Sequence, residues 1–396
     1  MGYVHIPRQI FSKVHFKLTK KENTSLVNDE VFSFLLLYNK NNILSLKKGV
    51  TMNLKSSNIY EKMNQYSVAG LSLAVICNGK LDEATAFGTL EDGTTRAVTT
   101  NSLFNSCSIS KFITTMLVLT LSEQGIVYLD ENVNDKLTSW NIPTNLFTSQ
   151  KSITLRNLLS HQSGLIDPPS SFEHYTPAKG LPNMSELLSG KTLYCPVPIE
   201  VTYKPESEFR YSDANFCIIE LLLEDITGRS FSQLLEEHIF QPLQMKNSTL
   251  FSPKDIDKTD VFACGHNKDR TVTNEKYPFY PFAAASGIWT TPTDLSTLVI
   301  EIIHSLQGKG KLKLSQKLVQ DMISPQGCSK WTGLGVFLDD SNKDLQMYSL
   351  GWGVGFQCMM ICYPYRGNGA VIMTNADLGV HQMEGIIGDV LKTLSF

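Results

Sequence analysis

Long apolar runs are missing from this chain of 396 residues: the best of them, residues 31–38, covers only about two helical turns, too short to span a bilayer. That stretch also lies too far in, between the wrong flanks, for a secretory signal, so the expected location is the cytoplasm. The eight cysteines (Cys77, Cys107, Cys195, Cys217, Cys264, Cys328, Cys358 and Cys362) show no Cys-x-x-Cys spacing, and free thiols in a reducing compartment are the simplest account of them. The eight histidines are scattered, with no His-x-x-x-His pair or carboxylate cluster, so no metal site is expected. Excess charge of one sign is absent too. With 35 Lys and Arg against 38 Asp and Glu, the net charge of −3 offers nothing to nucleic acid or an anionic membrane. Gly351, Gly353 and Gly355 alternate near the C-terminus, but no Gly-Lys-Ser/Thr follows them, and close packing of a strand and turn explains them better than a phosphate loop. No internal repeat or low-complexity tract appears.

What is present is a chain 42% hydrophobic and 18% charged, enough for a sizeable core in one or two domains. Its most informative feature is Ser108-Ile109-Ser110-Lys111, about a hundred residues ahead of Tyr211-Ser212-Asp213. A serine hydroxyl is a poor nucleophile at neutral pH and needs a base beside it. Ser and Lys at i and i+3 share one helix face. A lysine amine buried there can shed its charge and act as that base. The pattern alone is weak, because Ser45-Leu46-Lys47-Lys48 fits it as well. The setting of Ser108 is different. Ile109, Phe112, Ile113, Met116, Leu117, Leu119 and Leu121 make a helix apolar nearly all round, ending at Gly125, and such a helix belongs in the middle of the molecule. Ser108 falls at its N-terminus, where free N–H groups favour a developing oxyanion. The bland alternative is a core helix with a serine cap and a snorkelling lysine.

Further phrases favour the first reading. Residues 153–165 (Ile-Thr-Leu-Arg-Asn-Leu-Leu-Ser-His-Gln-Ser-Gly-Leu), 239–245 and 286–295 follow in order. From about Ile59 to the C-terminus the chain resembles the serine β-lactamase and penicillin-recognising superfamily, in the branch of class C β-lactamases, D-amino-acid peptidases and related esterases. Ser108-Ile109-Ser110-Lys111 looks like the nucleophile motif and Tyr211-Ser212-Asp213 like the Tyr-x-Asn motif. The resemblance implies that Ser108 forms an acyl-enzyme and that Lys111 and Tyr211 together are general base and acid. It also implies that the Ser108 and Trp352 N–H groups form the oxyanion hole and that Asp213 positions Lys111 and the substrate. No class A-like Ser-Asp-Asn triplet occurs, since Ser212-Asp213 continues to Ala214.

Two departures stand out. The third family motif begins with Lys or His on a strand lining the site, and here the match is Ser349-Leu350-Gly351, with a hydroxyl in place of the cation. His381 is too far along to substitute for it. Asp213 replaces Asn and, ionised, accepts hydrogen bonds but donates none to a substrate amide. The missing cation moves the expected substrate away from β-lactams and from peptides whose terminal carboxylate needs a partner; the change at Asp213 is the milder departure. His161 reads as a hydrogen-bonded structural histidine and Cys107 as a buried helix-start residue rather than a rival nucleophile. Trp352 and Phe356 serve either as a substrate wall or as core.

The expected fold is α/β (α+β): a mainly antiparallel sheet built from both chain ends and covered by terminal helices, with a helical subdomain at roughly residues 100–300. Residues 59–66 start a helix, and residues 71–77 and 81–88 flank Asn78-Gly79, a strong hairpin signal. Strands are expected at residues 355–362 and 370–374, a helix at 216–227, and a closing helix at 379–394. Residues 1–55 form an extension, and Lys47-Lys48-Gly49-Val50-Thr51-Met52 can be encoded by a ribosome-binding sequence ahead of an ATG, so translation is expected to begin at Met52. The functional expectation is a serine hydrolase that cleaves an ester or amide in a small-molecule or short-peptide substrate, with no metal or organic cofactor. Acyl transfer, D-amino-acid peptidase activity, or a binding homologue that has lost turnover are the alternatives.

Overall fold

The computed structural model describes residues 56–396, apart from 251, 253–259, 342, 343 and 395. The extension at 1–55 and the proposed start at Met52 lie outside the described residues. The chain opens with helix α1 (Ser56–Gln65), which leads into strands β1 (Gly70–Cys77) and β2 (Lys80–Gly88). Their turn is the expected Asn78-Gly79, with both residues at positive φ (51° and 70°), as a right-twisted two-residue hairpin demands. After a two-residue strand β3 (Phe104–Asn105) comes helix α2 (Ile109–Glu123), and later α3 (Ala214–Thr227), which stops at left-handed Gly228. Strands β4 (Thr249–Leu250) and β5 (Ile288–Thr290) join β3 in a small sheet of order β3-β5-β4, which no pattern in the sequence announces. Helix α4 (Pro292–Leu306) follows, capped by Thr291 with Pro292 in its first turn.

The C-terminal part supplies β6 (Phe337–Asp339), β7 (Gln346–Gly353), β8 (Phe356–Tyr363), β9 (Asn368–Thr374) and helix α5 (Ile386–Leu391). The six-stranded sheet has the order β2-β1-β9-β8-β7-β6 and every pairing is antiparallel, so β1 from one chain end lies against β9 from the other. Alternation divides its side chains between two cores. Leu71, Leu73, Met359, Ile361 and Ile372 pack with Ile59 of α1 and Ile386 and Val390 of α5. Met347, Cys358, Met360, Val371 and Met373 pack on the other side with α2, α3 and α4.

The closing helix is shorter than expected. Residues 382–384 form a 3₁₀ turn capped by the His381 ring, and Gly385 is extended (φ −104°, ψ −163°), so the α-helix begins only at Ile386. The feature that matters most for the site is at the edge of the sheet. Strand β6 pairs only with residues 346–348 of β7, so residues 349–353 have no strand on their outer side. None of the helices among the described residues is long and apolar enough to cross a membrane.

Candidate active site

Ser108 sits at the N-cap of α2, a helix whose residues from Ile109 to Leu121 are all buried. The turn before it is tightly fixed. Cys107 is at φ 49°, its N–H donates to the Asn105 side chain at 2.8 Å, and Ser106 Oγ donates to the Ile288 carbonyl of β5 at 2.7 Å. Cys107 is buried and its thiol points at the Asn105 carbonyl, which fits the helix-start reading. The Ser108 backbone N–H donates to none of the described residues.

Lys111 lies one turn on, its side chain only 4% exposed. Its Nζ donates to Ser108 Oγ at 3.2 Å and to the Ala285 carbonyl at 2.9 Å, and forms an ion pair with Asp213 Oδ1 at 2.6 Å. Burial by itself would lower the lysine pKa, but the charges of Asp213 and Tyr211 outweigh it and push the amine above its ordinary value. The sequence leaves open whether Lys111 or Tyr211 holds the proton; the Asp213 carboxylate 2.6 Å away favours the ammonium at Lys111.

Tyr211 and Asp213 are brought in by the loop that starts α3. Burial, and then the Asp213 charge, raise the Tyr211 phenol, while its interactions with Lys111 and Ser108 pull it back down. Its ring stacks on His161 with centroids 4.4 Å apart. His161 is buried, and its Nδ1 lies 3.3 Å from the Ser212 N–H and 3.1 Å from Asn215 Nδ2. Burial, reinforced by Lys111, keeps this imidazole well below its ordinary pKa, so it is neutral. The structural reading of His161 holds, and its contacts show what it does there, which is to fix the ring of Tyr211.

One residue of the site has no signal in the sequence pattern. Asp167 accepts from Ser212 Oγ at 2.6 Å, the Asp213 N–H at 2.7 Å and the Ala214 N–H at 3.1 Å, and so ties down the whole Tyr211–Asp213 turn. Burial and the nearby Asp213 charge raise its pKa to about 7, against the pull of those three donors. The only clue in the sequence is its place just beyond the Ser163-Gly164-Leu165 phrase.

The opposite wall is the open edge of β7. Ser349 lines a small cleft together with Ser108, Lys111, Tyr211, His161, Thr332, Gly333, Gly335, Val336 and Phe337. The structure thus brings Ser349 to the place its register implies, carrying a hydroxyl and no charge. Gly351 and Gly353 are needed for packing. A Cβ on Gly351 would lie 2.2 Å from Cys358 Sγ and 2.4 Å from the Ser106 carbonyl, and one on Gly353 would lie 2.8 Å from Cys107 Sγ. Strand β7 can approach the nucleophile turn only without side chains there. Phe356 is fully buried core, whereas Trp352 is half-buried and its indole donates to Asp377 Oδ1 at 2.8 Å. Among the described residues no group of three His, Cys, Asp or Glu side chains could hold a metal ion, and the eight cysteines are free thiols.

With this geometry in view, the comparisons with known proteins agree on one family. A family model described as Beta-lactamase matches residues 56–389. Among curated proteins, a Teichoic acid D-alanine hydrolase from Staphylococcus aureus (strain MRSA252) is 27% identical over 248 residues, covering 61% of this chain and 57% of the relative. The matched region thus spans less than two thirds of that relative's length. Among solved structures, an octameric penicillin-binding protein homologue from Pyrococcus abyssi matches with a TM-score of 0.67 at 19% identity, over 85% of this chain and 76% of the other. A D-alanine carboxypeptidase from Burkholderia cenocepacia matches with a TM-score of 0.64 at 16% identity, over 86% and 100% respectively. At these identities the structural likeness is one of fold.

Proposed function

The chain belongs to the Beta-lactamase family, and on that premise we propose that it is a serine hydrolase that opens an ester or amide through an acyl-enzyme on Ser108. The observation that carries this reading is the contact of Ser108 Oγ with Lys111 Nζ at 3.2 Å, in a cleft that also holds Tyr211. Residues 56–396 act as one hydrolase domain, and the free thiols support a cytoplasmic setting.

Because Lys111 is an ammonium at rest, the roles divide. Tyr211 takes the Ser108 proton as the hydroxyl attacks the carbonyl, and returns it to the leaving group when the tetrahedral intermediate collapses. Lys111 stays charged and stabilises the phenolate and the forming alkoxide electrostatically. The Ser108 N–H, which has no partner among the described residues, receives the oxyanion together with that of Trp352 on β7, the role the family resemblance gives them. Since the Tyr211 phenol is raised, its active phenolate is scarce at neutral pH, and acylation should quicken as pH rises from about 7 to about 9. The absence of a cation at Ser349 argues against substrates that present a carboxylate to this wall.

A second reading, a homologue that binds ligand without turnover, rests on Ser349 alone. Intact-protein mass after treatment with a fluorophosphonate separates the two. A single adduct on the wild type that is lost in Ser108→Ala supports the hydrolase; no adduct on folded protein shifts the weight to binding.

A further inference from the structure

A net charge of −3 is an average over the whole surface, and one face departs from it. From Ser305 to Gln320 the chain carries Lys309, Lys311, Lys313 and Lys317 and no acidic residue, and all four lysines are exposed. The lysine ion pairs among the described residues are made by other lysines, so these four charges have no carboxylate partner there.

The segment that carries them is held firmly as it turns back over the end of α4. The buried Glu301 accepts the Lys311 N–H at 2.9 Å and the Leu312 N–H at 2.8 Å, and Glu123 at the end of α2 accepts that of Ser315 at 2.8 Å. Leu312 and Leu314 are buried between the lysines. Gly310 lies so close to the helix that a Cβ there would be 2.1 Å from Ser305 Oγ. The leucines are thus drawn inwards while the ammonium groups stand out into solvent.

Two turns of the large sheet extend this face. The Lys309 N–H donates to the His304 carbonyl at 2.8 Å, and the His304 ring lies against the β1–β2 turn, where a Cβ on Gly79 would be 3.3 Å from Nε2. The Gly79 N–H donates in turn to the Gly367 carbonyl of the β8–β9 turn at 2.7 Å. Beside these contacts stand Lys80, which is exposed, Leu81, 41% exposed, and Tyr365, 65% exposed. Asp82 and Glu83 follow on β2 and mark the margin on that side, and Arg366 is paired with Asp344. None of these residues lines the nucleophile cleft. A tyrosine with an apolar body and a polar tip suits the boundary between lipid headgroups and acyl chains. Lysines are point charges on flexible stems, which suits a diffuse layer of phosphates better than one fixed phosphate. A single exposed ring gives no row of platforms on which nucleic-acid bases could stack.

We propose that this face docks the protein reversibly on an anionic phospholipid surface, with the five lysines over the headgroups and Tyr365 and Leu81 reaching in between them. The proposal is independent of the chemistry at Ser108.

The test is co-sedimentation of the full chain with vesicles of phosphatidylcholine, alone or with roughly one third phosphatidylglycerol, at about 0.1 M salt. Binding to the anionic vesicles only is expected, weakened at least about tenfold at about 0.5 M salt. Each lysine beside such a surface is worth about fivefold in partitioning. Changing Lys309, Lys311, Lys313 and Lys317 together to Gln should therefore lower binding by more than about a hundredfold, whereas changing all four to Arg should keep it. Both variants should melt with the wild type, because the four side chains are exposed. No binding to the anionic vesicles, or equal binding to phosphatidylcholine alone, overturns the proposal. Binding that survives the four Gln substitutions comes from elsewhere in the chain and overturns it as well. Retention on heparin without binding to vesicles would replace the membrane with a soluble polyanion.

Discussion

On one wall of the cleft Lys111 makes three contacts of 2.6–3.2 Å, and the Tyr211–Asp213 turn is pinned from behind by Asp167 and His161. On the other wall, residues 349–353 of β7 offer a neutral hydroxyl, two glycines and an unpaired strand edge. The first wall is built from side-chain electrostatics and tolerates little change in charge. The second is built from shape, and what it demands is the absence of atoms. The contrast assigns chemistry to the first wall and substrate choice to the second. The largest expected effect breaks the first wall. Lys111→Met leaves the Asp213 carboxylate buried without its partner, which should cost about 3–5 kcal/mol of stability in denaturant titration. Fluorophosphonate labelling should slow by about 10²–10⁴-fold. The double variant Lys111→Met/Asp213→Asn should recover stability but not labelling; recovery of both would remove Lys111 from the chemistry.

The second wall breaks through its glycine. The Cβ of Gly351→Ala would press on Cys358 Sγ and the Ser106 carbonyl, the residue two before the nucleophile. Overpacking of this kind costs about 1–3 kcal/mol. It should also displace the Ser108 turn, so labelling should slow even where the variant is fully folded. Adding Cys358→Ala removes one of the two collisions and should restore part of the stability. If Gly351→Ala labels at the wild-type rate, β7 does not abut the nucleophile as described.

These two walls are unequally legible in the sequence. Ser108 and Lys111 can be picked out because a serine nucleophile needs a base one helical turn away, Tyr211 only through its likeness to the family's Tyr-x-Asn motif, and the apolar run from Ile109 to Leu121 announces a buried helix. The hairpin at Asn78-Gly79 and the strands β8 and β9 are readable from turn chemistry and alternation. Asp167 is not, since its role depends on three donors 45 to 47 positions away. The charge state of Lys111 escapes for a similar reason: burial is a local property of its helix, but the Asp213 contact that overrides it is tertiary. The three-stranded sheet β3-β5-β4 is hidden because its strands have two or three residues each, too few to show a period. The closing helix reads as too long because an extended Gly385 interrupts an otherwise helical composition.

A smaller effect would sharpen the contrast by moving charge from one wall to the other. Ser349→Lys places an ammonium in the cleft beside Tyr211, where the hydroxyl now stands. It should improve kcat/KM for an ester bearing a free carboxylate by about tenfold relative to a neutral ester, the value of one charge-assisted hydrogen bond. It should also lower the Tyr211 phenol and shift the alkaline rise of the labelling rate towards neutral pH. No change in either ratio would mean that Ser349 does not face the substrate.

The smallest expected effect concerns Asp167, and its sign follows from linkage. Its carboxyl, raised to about 7 by burial and by Asp213, stays protonated in the folded chain at pH values where the unfolded chain, with an ordinary value of 3.8, has already ionised. Its favourable contribution is thus complete below about pH 4 and is lost as pH rises through about 7. Glu220 of α3, raised by burial to about 8 while it accepts from the Ala284 N–H at 2.8 Å, acts in the same direction. The thermal midpoint of the wild type should therefore fall between about pH 5 and about pH 8. Asp167→Asn removes one of the two titrations but gives up an acceptor to a backbone N–H, at a cost of about 1 kcal/mol. The variant should melt below the wild type at about pH 5 and close that gap by about pH 8, a movement of roughly a few degrees. Parallel melting curves across that range would show that Asp167 is ionised throughout. In that case Asp167 and Asp213 hold two negative charges across that range, against the single cation of Lys111 beside them.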